Sequence, residues 1–346
     1  MNQVIRGDTL NELTVSIMES VLDGDVSTSR NGQVHYLNNA LTELTNPRAR
    51  HVHLHGRKNN IFATIAETFW VMAGMDVLDP YMSMYLPRAK DYSDDGGVTW
   101  YGAYGVRMHD HDQVNSVVKT FKDEGLDTRR AVMSIYHAEK DSVANRPEGA
   151  KDIPCNNLLH FYVRDGKLNC NAFSRSGDVV WGLTNINIFE WTVLMEHIAQ
   201  EIGVDVGTYS HFVTNLHIYD FTKSQCENVV STEMQPTGHN NVPMVFPEGV
   251  ENTRKFFEDL VSELTQLIEQ GNDYPINNNI LNLFSGYGVP REGNLLWEYA
   301  RAVTAYTQAK LGANLRLELP VGDFYEAVIH SPFRKFGVYS EFRKVG

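Results

Sequence analysis

Apolar side chains recur at intervals of three or four residues along several stretches of the chain, a spacing that predicts amphipathic helices. The first stretch places Leu10, Leu13 and Ile17 on one helical face. The second is apolar on nearly every side, which indicates a buried helix capped by Asn and ended by Gly74. The predicted helices are residues 9–23, 59–74, 111–125, 186–203, 250–271 and 293–312.

Runs of β-branched and aromatic residues predict strands between these helices. The clearest are residues 157–166 and 167–176, which we expect to pair as a hairpin because Asp165-Gly166 is a strong two-residue turn signal. The other predicted strands are residues 33–44, 50–56, 129–138 and 207–220. Residues 75–100 are rich in turn-forming residues and are expected to form a functional loop.

The order of these elements predicts an α+β core in residues 1–220 and a mostly helical extension in residues 221–346. A segment rich in Asn, Gly and Pro, residues 272–293, separates the two helices of the extension. With 346 residues, 42% of them hydrophobic, the chain is long enough to bury a large core.

Charge and cysteine content narrow the class of protein. The formal net charge of −13 makes nucleic acid and anionic membranes poor partners. The three cysteines have neither a disulfide framework nor a zinc-site spacing, so we expect a reducing compartment and a free thiol. The N-terminal ten residues lack the apolar core of a signal peptide, and no apolar run is long enough to span a bilayer. These features predict a cytoplasmic protein.

Two residues are candidates for chemistry on residue type alone. Cys155 follows Pro154 at the start of a strand, where it is either a small buried hydrophobe or a nucleophile activated by nearby arginines. Arg175 lies on the partner strand of the hairpin. Glu67 lies within an apolar helix face, where a carboxylate is either at the edge of the face or used for proton transfer.

Three alternating histidines, His51, His53 and His55, suggest a metal site at first sight. They fall on one face of the predicted strand, but no carboxylate or cysteine set accompanies them. We therefore expect no metal.

Taken together, six motifs resemble those of the thymidylate synthase family, in the family's order. The longest is "IPCNNLLHFYVRDGKLNCNAFSRSGDVVWGLTNINIFEWTVLMEHIAQ", which is similar to the family's nucleophile strand, hairpin, Arg-Ser-x-Asp turn and following helix. The others are "STSRNG" for the phosphate loop, "IAETFWVMAG" for the catalytic-glutamate helix, "YGAYG" for the active-site tyrosine, "DTRRAVMSIY" for the double-arginine strand and "NLHIYD" for the sugar-binding strand.

The resemblance implies a three-layer α+β fold whose large mixed sheet forms the interface of a homodimer, with residues 1–220 as the catalytic core. It also implies an enzyme that transfers a one-carbon unit from 5,10-methylenetetrahydrofolate to C5 of a pyrimidine nucleoside monophosphate. In that chemistry Cys155 attacks C6 of the base. The implied catalytic residues are Cys155, Glu67, Tyr104 and Asp178.

The resemblance also assigns the residues that bind substrate and folate. Guanidinium groups match phosphate oxygens in geometry and charge. The implied substrate-binding residues are Arg30, Arg129, Arg130, Arg175, Ser176, Asn187, His217 and Tyr219, with Arg129 and Arg130 supplied by the second subunit. The implied folate-binding residues are Asp178, Trp181 and Gly182.

The base is indicated by Asn187, which aligns with the family's base-recognising asparagine if one residue is inserted before it. An amide can donate to O4 and accept from N3–H of uracil. Cytosine-specific members tend to carry a carboxylate at this position, so Asn187 favours dUMP. A flipped amide also fits cytosine, and Asn185 is a second candidate for the alignment. Thus dCMP and CMP remain open.

Departures from the family pattern bear on the product. Ordinary members carry tryptophans that shield the reaction intermediate from water, whereas the corresponding loop here, residues 81–97, has none. The end of the chain also lacks the apolar tail that closes over the folate. We therefore predict a 5-hydroxymethylase of the kind that phages use to make modified DNA bases, acting in the host cytoplasm. The alternatives are a divergent thymidylate synthase and an inactive nucleotide-binding relative.

Overall fold

The computed structural model describes residues 4–29, 31–232 and 242–340. Two sequence predictions lie outside these residues: the phosphate-binding role of Arg30 and the composition of the last residues, 341–346. Within the described residues, no helix is long and apolar enough to cross a membrane.

Five of the ten strands in the described part of the chain are ones that the hydrophobic pattern predicts, and the other five were not predicted. They are β1 (Ile5–Gly7), β2 (Asp25–Ser29), β3 (Gly32–Leu44), β4 (Ala131–Ser134), β5 (Asn156–Arg164), β6 (Lys167–Ser174), β7 (Gly177–Asp178), β8 (Asp205–Tyr219), β9 (Arg316–Leu319) and β10 (Gly337–Ser340).

Eight of the strands in the described part of the chain form a mixed sheet in the order β1-β3-β8-β6-β5-β4, with β2 beside β3 and β7 beside β8. Strand β8 runs antiparallel to β3 and parallel to β6. The β5–β6 hairpin turns at Asp165 and Gly166, both with positive φ, as a two-residue turn requires. This confirms the predicted hairpin.

The helices fall into a core set and a C-terminal set. They are α1 (Leu10–Leu22), α2 (Ile61–Met72), α3 (Tyr81–Tyr85), α4 (Tyr104–His109), α5 (Gln113–Glu124), α6 (Ala138–Asp141), α7 (Ile188–Ile202), α8 (Asp220–Ser231), α9 (Val250–Gln270), α10 (Ile276–Gly286), α11 (Leu295–Lys310) and α12 (Asp323–His330). A π-helix, Val179–Asn187, leads directly into α7.

The helix starts follow their capping residues. Thr9 and Glu12 form a reciprocal capping box at α1, and the Asn60 side chain accepts from the backbone of Ala63 at α2. Each cap satisfies backbone N–H groups that the first helical turn leaves without partners, which explains why the predicted boundaries agree to within about two residues.

The layers are built outward from one face of the sheet. Helices α1 and α7 pack on that face, α2 packs on α7, and α9 and α11 pack on α2. Phe62 stacks on Tyr306 with ring centroids 4.5 Å apart, and Phe69 meets Phe257 at 5.7 Å. Burying each such side chain contributes about 2 kcal/mol relative to leaving it exposed. The C-terminal helices therefore share one hydrophobic cluster with the core.

Two predictions of secondary structure are wrong. Residues 50–56, predicted as a strand, form no strand, because Arg50 and His51 are turned into the interior by polar partners rather than by a ladder. Residues 272–293, predicted as a separating loop, contain α10. Its apolar positions Ile276, Ile280 and Phe284 are buried at helical spacing, and this packing outweighs the low helix propensity of the asparagines.

Candidate active site

A cavity of about 230 Å³ lies beside the open end of the β5–β6 hairpin, between β7, the π-helix, α2 and the start of α4. The residue before β5 and the residues after β6 line it, together with residues of β7, the π-helix, α2 and α4. The lining residues are Glu67, Trp70, Val71, Trp100, Gly102, Ala103, Tyr104, Asp152, Cys155, Ser176, Gly177, Asp178, Gly182, Ile186 and Asn187. Six predicted site residues, far apart in sequence, are thus brought to one space together with Gly182.

Cys155 is the thiol that borders this cavity, on the residue before β5. Burial raises its pKa, the charge of Arg175 opposes this, and the charges of Asp152 and Asp178 add to it. The other cysteines, Cys170 and Cys226, are buried in the core, where burial raises their pKa as well. Burial therefore favours the neutral Cys155 thiol, and a positive neighbour is needed to favour the thiolate.

Arg175 is exposed and lies against the segment that carries the thiol. Its Nη2 donates to the carbonyl of Ile153 at 2.7 Å and its Nε donates to that of Pro154 at 3.0 Å. Its backbone N–H also donates to the carbonyl of Cys155 at 3.0 Å. One residue thus holds the segment that leads to Cys155 and supplies positive charge beside the thiol. Ser176, the next residue, lines the cavity.

Glu67 is the carboxyl group that α2 presents to the cavity. Burial raises its pKa to about 8, and the charge of Asp152 contributes further. At neutral pH it therefore holds a proton in the unliganded protein, which is the state a proton donor needs. This favours the proton-transfer interpretation of Glu67 over a surface position.

Asp152 was not singled out by the sequence, yet it shapes this side of the cavity. Its Oδ2 accepts from the backbone N–H of Gly102 at 2.9 Å. A β-carbon on Gly102 would come within 2.9 Å of this carboxyl group, so only glycine allows the approach. The contact places the following Tyr104, whose pKa is raised well above the usual value, mainly by burial. The only sequence signal was an acidic residue three positions before the cysteine.

Asp178 is the N-cap residue of the π-helix. Its Oδ1 accepts from the backbone N–H groups of Val180 at 2.6 Å and Trp181 at 3.2 Å. Burial raises its pKa, while these bonds and the charge of His217 oppose the change. Of the predicted folate-binding residues, Asp178 and Gly182 line the cavity. Trp181 does not line it and is 61% exposed.

Asn187 and Asn185 are separated by the helix geometry. The segment Val179–Asn187 is a π-helix, and the wider turn of a π-helix is the usual way to fit one extra residue into a helical segment. Asn187 consequently borders the cavity, while Oδ1 of Asn185 accepts from the Thr64 hydroxyl at 2.9 Å. The one-residue insertion assumed from the sequence thus has a physical counterpart immediately before Asn187.

His217 and Tyr219 project from the end of β8, two residues apart and therefore on one face. His217 lies opposite Asp178 in the parallel pairing of β7 with β8, and its ring meets that of Tyr219 edge-on at 4.8 Å. The Tyr219 hydroxyl accepts from Nδ2 of Asn31 at 3.4 Å. Neither side chain lines the 230 Å³ cavity, but both lie on the strand that borders its Asp178 side.

Arg129 and Arg130 lie away from the cavity, just before the edge strand β4, and both are exposed. Arg130 forms an ion pair with Glu124 at 3.4 Å. The structure therefore does not bring these two arginines to the Cys155 of their own chain.

The alternating histidines have separate polar partners. Nε2 of His51 meets the Tyr299 hydroxyl at 2.6 Å, and Nδ1 meets Oδ2 of Asp323 at 2.8 Å. His53 pairs with Asn11. Among the described residues, no group of three or more metal-ligating side chains comes together.

Two tryptophans complete one wall of the cavity. Trp70 belongs to α2, and Trp100 lies three residues beyond the loop 81–97 that has no tryptophan. Their rings meet edge-on at 5.6 Å, and Trp100 Nε1 donates to the carbonyl of Ala89 at 2.7 Å. The sequence comparison missed Trp100 because it considered the loop alone.

Comparison with known proteins gives a consistent result. A family model described as thymidylate synthase matches residues 22–259, which include every predicted site residue. The deoxyuridylate hydroxymethyltransferase of Delftia phage PhiW-14 is 37% identical over 338 residues, covering 91% of this chain and 92% of that protein. The similarity therefore extends into the C-terminal helices beyond residue 259.

Two further relatives carry the same name. The proteins of Bacillus phage SP01 and Pseudomonas phage M6 are 32% and 30% identical, each over 227 residues. These alignments cover 62% and 64% of this chain, and 58% and 63% of the relatives.

Proposed function

The chain belongs to the thymidylate synthase family, and we propose that it is a hydroxymethyltransferase that converts dUMP into its 5-hydroxymethyl derivative. The observation that carries the proposal is the single cavity shared by Cys155, Glu67 and Asn187. A nucleophile, a proton donor and an amide suited to uracil are the groups that this substitution at C5 needs. Three relatives named for the same reaction support the choice of base and product.

The first step is the addition of Cys155 Sγ to C6 of the uracil ring. The thiol loses its proton, the S–C6 bond forms, and the C5–C6 electron pair makes C5 nucleophilic toward a one-carbon donor. Arg175 favours the thiolate by its charge, against the burial that raises the thiol pKa. Glu67, protonated at neutral pH, would donate toward O4 as negative charge develops on the base.

Methylenetetrahydrofolate would supply the one-carbon unit. The residues around the mouth of the cavity fit such a planar, polar-edged molecule, since Asp178 offers a carboxyl group and Trp181 an exposed indole. A β-carbon on Gly182 would lie in ordinary contact with Oδ1 of Asn187, at 3.6 Å, so Gly182 and the Asn187 amide are neighbours at this edge of the cavity. We propose that Asp178, Trp181 and Gly182 hold the folate here.

The last steps distinguish the two products that the fold can make. Once C5 has bonded to the one-carbon unit, C5 loses its proton and the bond between that unit and the folate breaks. The nucleotide then carries an exocyclic methylene group. Addition of water to this group, with expulsion of Cys155 as thiol, gives the 5-hydroxymethyl nucleotide and leaves the folate at the tetrahydro level. Oxidant and reductant are not required.

The alternative product, dTMP, has one specific observation in its favour. Trp70 and Trp100 form an aromatic wall of the cavity and could shield the methylene group from water, as the missing loop tryptophans would. In that case hydride from the folate would complete a methyl group and dihydrofolate would form. The two reactions are therefore distinguished by the oxidation level of the folate product.

We also propose that the active enzyme is a homodimer formed by the face of the sheet opposite α1 and α7. This face carries Val132, His160, Phe173 and Phe212, and exposed fractions of 50% for Val132 and 37% for Phe173 are high for apolar strand residues. Pairing of this face with the same face of a second copy would bury these apolar side chains. This arrangement also fits the expectation that Arg129 and Arg130 serve the partner's phosphate site.

The proposal is tested by incubating the protein with methylenetetrahydrofolate and, separately, dUMP, dCMP, UMP and CMP. We expect consumption of dUMP with formation of tetrahydrofolate and no dihydrofolate, and loss of this reaction in Cys155→Ala. Stoichiometric dihydrofolate would establish the synthase reaction instead. A Cys155→Ala variant with full turnover would overturn the covalent mechanism.

A further inference from the structure

Glu190 is a buried carboxyl group that none of the steps above uses. It lies on the first turn of α7, three residues after Asn187, so that the two side chains share a helix face. Nδ2 of Asn187 donates to Oε1 of Glu190 at 3.1 Å. Glu190 is only 2% exposed.

The environment of Glu190 disfavours its ionised form. Burial raises its pKa well above the usual value, the charge of Glu67 adds to this, and the Asn187 bond opposes it. Among the described residues, no salt bridge reaches Glu190. A neutral carboxyl group has one acceptor oxygen and one O–H donor. In the arrangement observed here Oε1 is the acceptor of the Asn187 bond, which leaves Oε2 to carry the proton in the neutral form.

The second oxygen, Oε2, is buried and has no hydrogen-bond partner in the described parts of the chain. A buried polar atom without a partner costs about 1–3 kcal/mol, so this carboxyl group is not explained by the needs of the core. The groups around it include Tyr104 and Tyr209, whose pKa values an ionised Glu190 would raise beyond the effect of burial. Of these two, Tyr104 lines the cavity.

The bond to Glu190 determines which amide atom of Asn187 faces the cavity. Nδ2 is directed toward Glu190, and Oδ1 borders the open space above Gly182, where a β-carbon would be 3.6 Å away. An oxygen presented there can accept from N3–H of uracil. At the same position cytosine presents the lone pair of N3, which an oxygen repels and only the reversed amide can bind.

We propose that Glu190 is a positioning residue that selects uracil over cytosine by holding the Asn187 amide with Oδ1 toward the base. The inference rests on the proposed function only in assuming that Asn187 contacts the base. Without an acceptor at Glu190, the amide would be free to reverse, and cytosine would gain the donor that it needs.

The test compares binding of dUMP and dCMP by titration calorimetry, which requires no turnover. Glu190→Gln replaces one O–H donor, present only in the neutral carboxyl group, by two permanent N–H donors. Donation to Oδ1 of Asn187, and with it the reversed orientation, therefore becomes more favourable. We expect the ratio of the dCMP to the dUMP dissociation constant to fall about tenfold, the effect of one hydrogen bond. Glu190→Met, which has no acceptor oxygen, is expected to lower the ratio similarly and guards against a variant that does not fold.

The control is Glu196→Gln on the same helix, a buried carboxylate paired with Arg48 and Arg50. It is expected to lower the melting temperature and leave the ratio unchanged. A ratio unchanged in folded Glu190→Gln or Glu190→Met overturns the proposal, as does a wild-type protein that binds both nucleotides equally.

Failure of the proposed function can be distinguished from failure of the positioning role, because product formation and binding preference are measured separately. A wild-type protein that prefers dUMP in binding but yields no hydroxymethyl product contradicts the proposed reaction, and the loss of preference in the Glu190 variants still supports the positioning role.

Discussion

The guanidinium group of Arg175 is hydrogen-bonded to the carbonyls of Ile153 and Pro154, the two residues before Cys155. The same side chain is the positive charge that lowers the pKa of the Cys155 thiol against burial. Position and reactivity of the thiol therefore depend on one residue from the neighbouring strand.

Replacing Arg175 by Gln should slow alkylation of Cys155 by iodoacetamide about threefold at pH 8, since loss of the nearby charge raises the thiol pKa further. Arg175→Lys, which keeps a charge, should react faster than Arg175→Gln. The rate is measured by mass spectrometry of the labelled peptide. Cys155→Ser is the control and should abolish labelling, because Cys170 and Cys226 are buried. Equal rates in Arg175→Gln and wild type would remove the arginine from thiol activation.

Glu67 should set the alkaline limit of activity. With its pKa raised to about 8 by burial, the proton that it donates is lost above that pH, so kcat/KM for dUMP should fall as the pH rises through about 8. Glu67→Gln should lower kcat about 100-fold or more and remove this dependence. A pH profile of both proteins checks the expectation. Wild-type activity that is level through pH 8 and beyond would contradict it.

The same carboxyl group predicts a pH-dependent stability. A raised pKa means that folded Glu67 keeps its proton at pH values where the unfolded chain has lost it. The contribution of this proton to the free energy of unfolding is therefore complete below about pH 4.5 and is lost as the pH rises to about 8. Glu67→Gln cannot ionise. Its free energy of unfolding should therefore increase relative to wild type between pH 5 and pH 8, as measured by urea denaturation. A constant difference across this range would exclude the raised pKa.

Replacing Asn187 by Asp should move the preference from dUMP to dCMP. A protonated carboxyl group can donate to N3 of cytosine and accept from its amino group, and burial beside Glu190 favours the neutral form of an acid at this position. We expect the kcat/KM ratio of dUMP to dCMP to fall about 100-fold or more, since the base loses a matched pair of hydrogen bonds. Asn185→Asp is the matched control. A larger change in that variant would show that Asn185 contacts the base.

The contact of His51 with Asp323 should hold the C-terminal region on the core. Burial raises the pKa of Asp323, but the charge and the hydrogen bond of His51 outweigh burial and lower that pKa overall. Asp323→Asn should cost about 3 kcal/mol of unfolding free energy at neutral pH. Because a lowered carboxyl pKa stabilises only above its unfolded value, the cost should shrink as the pH falls below about 4. Glu292→Gln, an exposed change, should cost almost nothing; an equal loss in both would contradict this account.

The sequence predicted elements that local chemistry determines. The capping residues of α1 and α2 and the Asp165-Gly166 turn act over a few positions, and those elements lie where the pattern places them. It did not predict α10, whose buried face matters only after α9 and α11 are in place, or the irregular path of residues 50–56.

The site divides in the same way. Residues within matched motifs, such as Cys155 and Asn187, were found because those motifs resemble the family pattern within one stretch of chain. Trp100, Asp152 and Glu190 were missed, because their approach to the cavity depends on distant parts of the chain packing together. Glu190 in particular looks like one polar residue in an apolar helix until its contact with Asn187 is seen.

The most direct test of the central claim is mass spectrometry of the nucleotide formed from dUMP and methylenetetrahydrofolate, in ordinary water and in heavy-oxygen water. We predict a product heavier than dUMP by one CH₂O unit, with its added oxygen taken from the solvent. A product heavier by one CH₂ unit, unchanged by the isotope, would contradict the account and identify the protein as a thymidylate synthase.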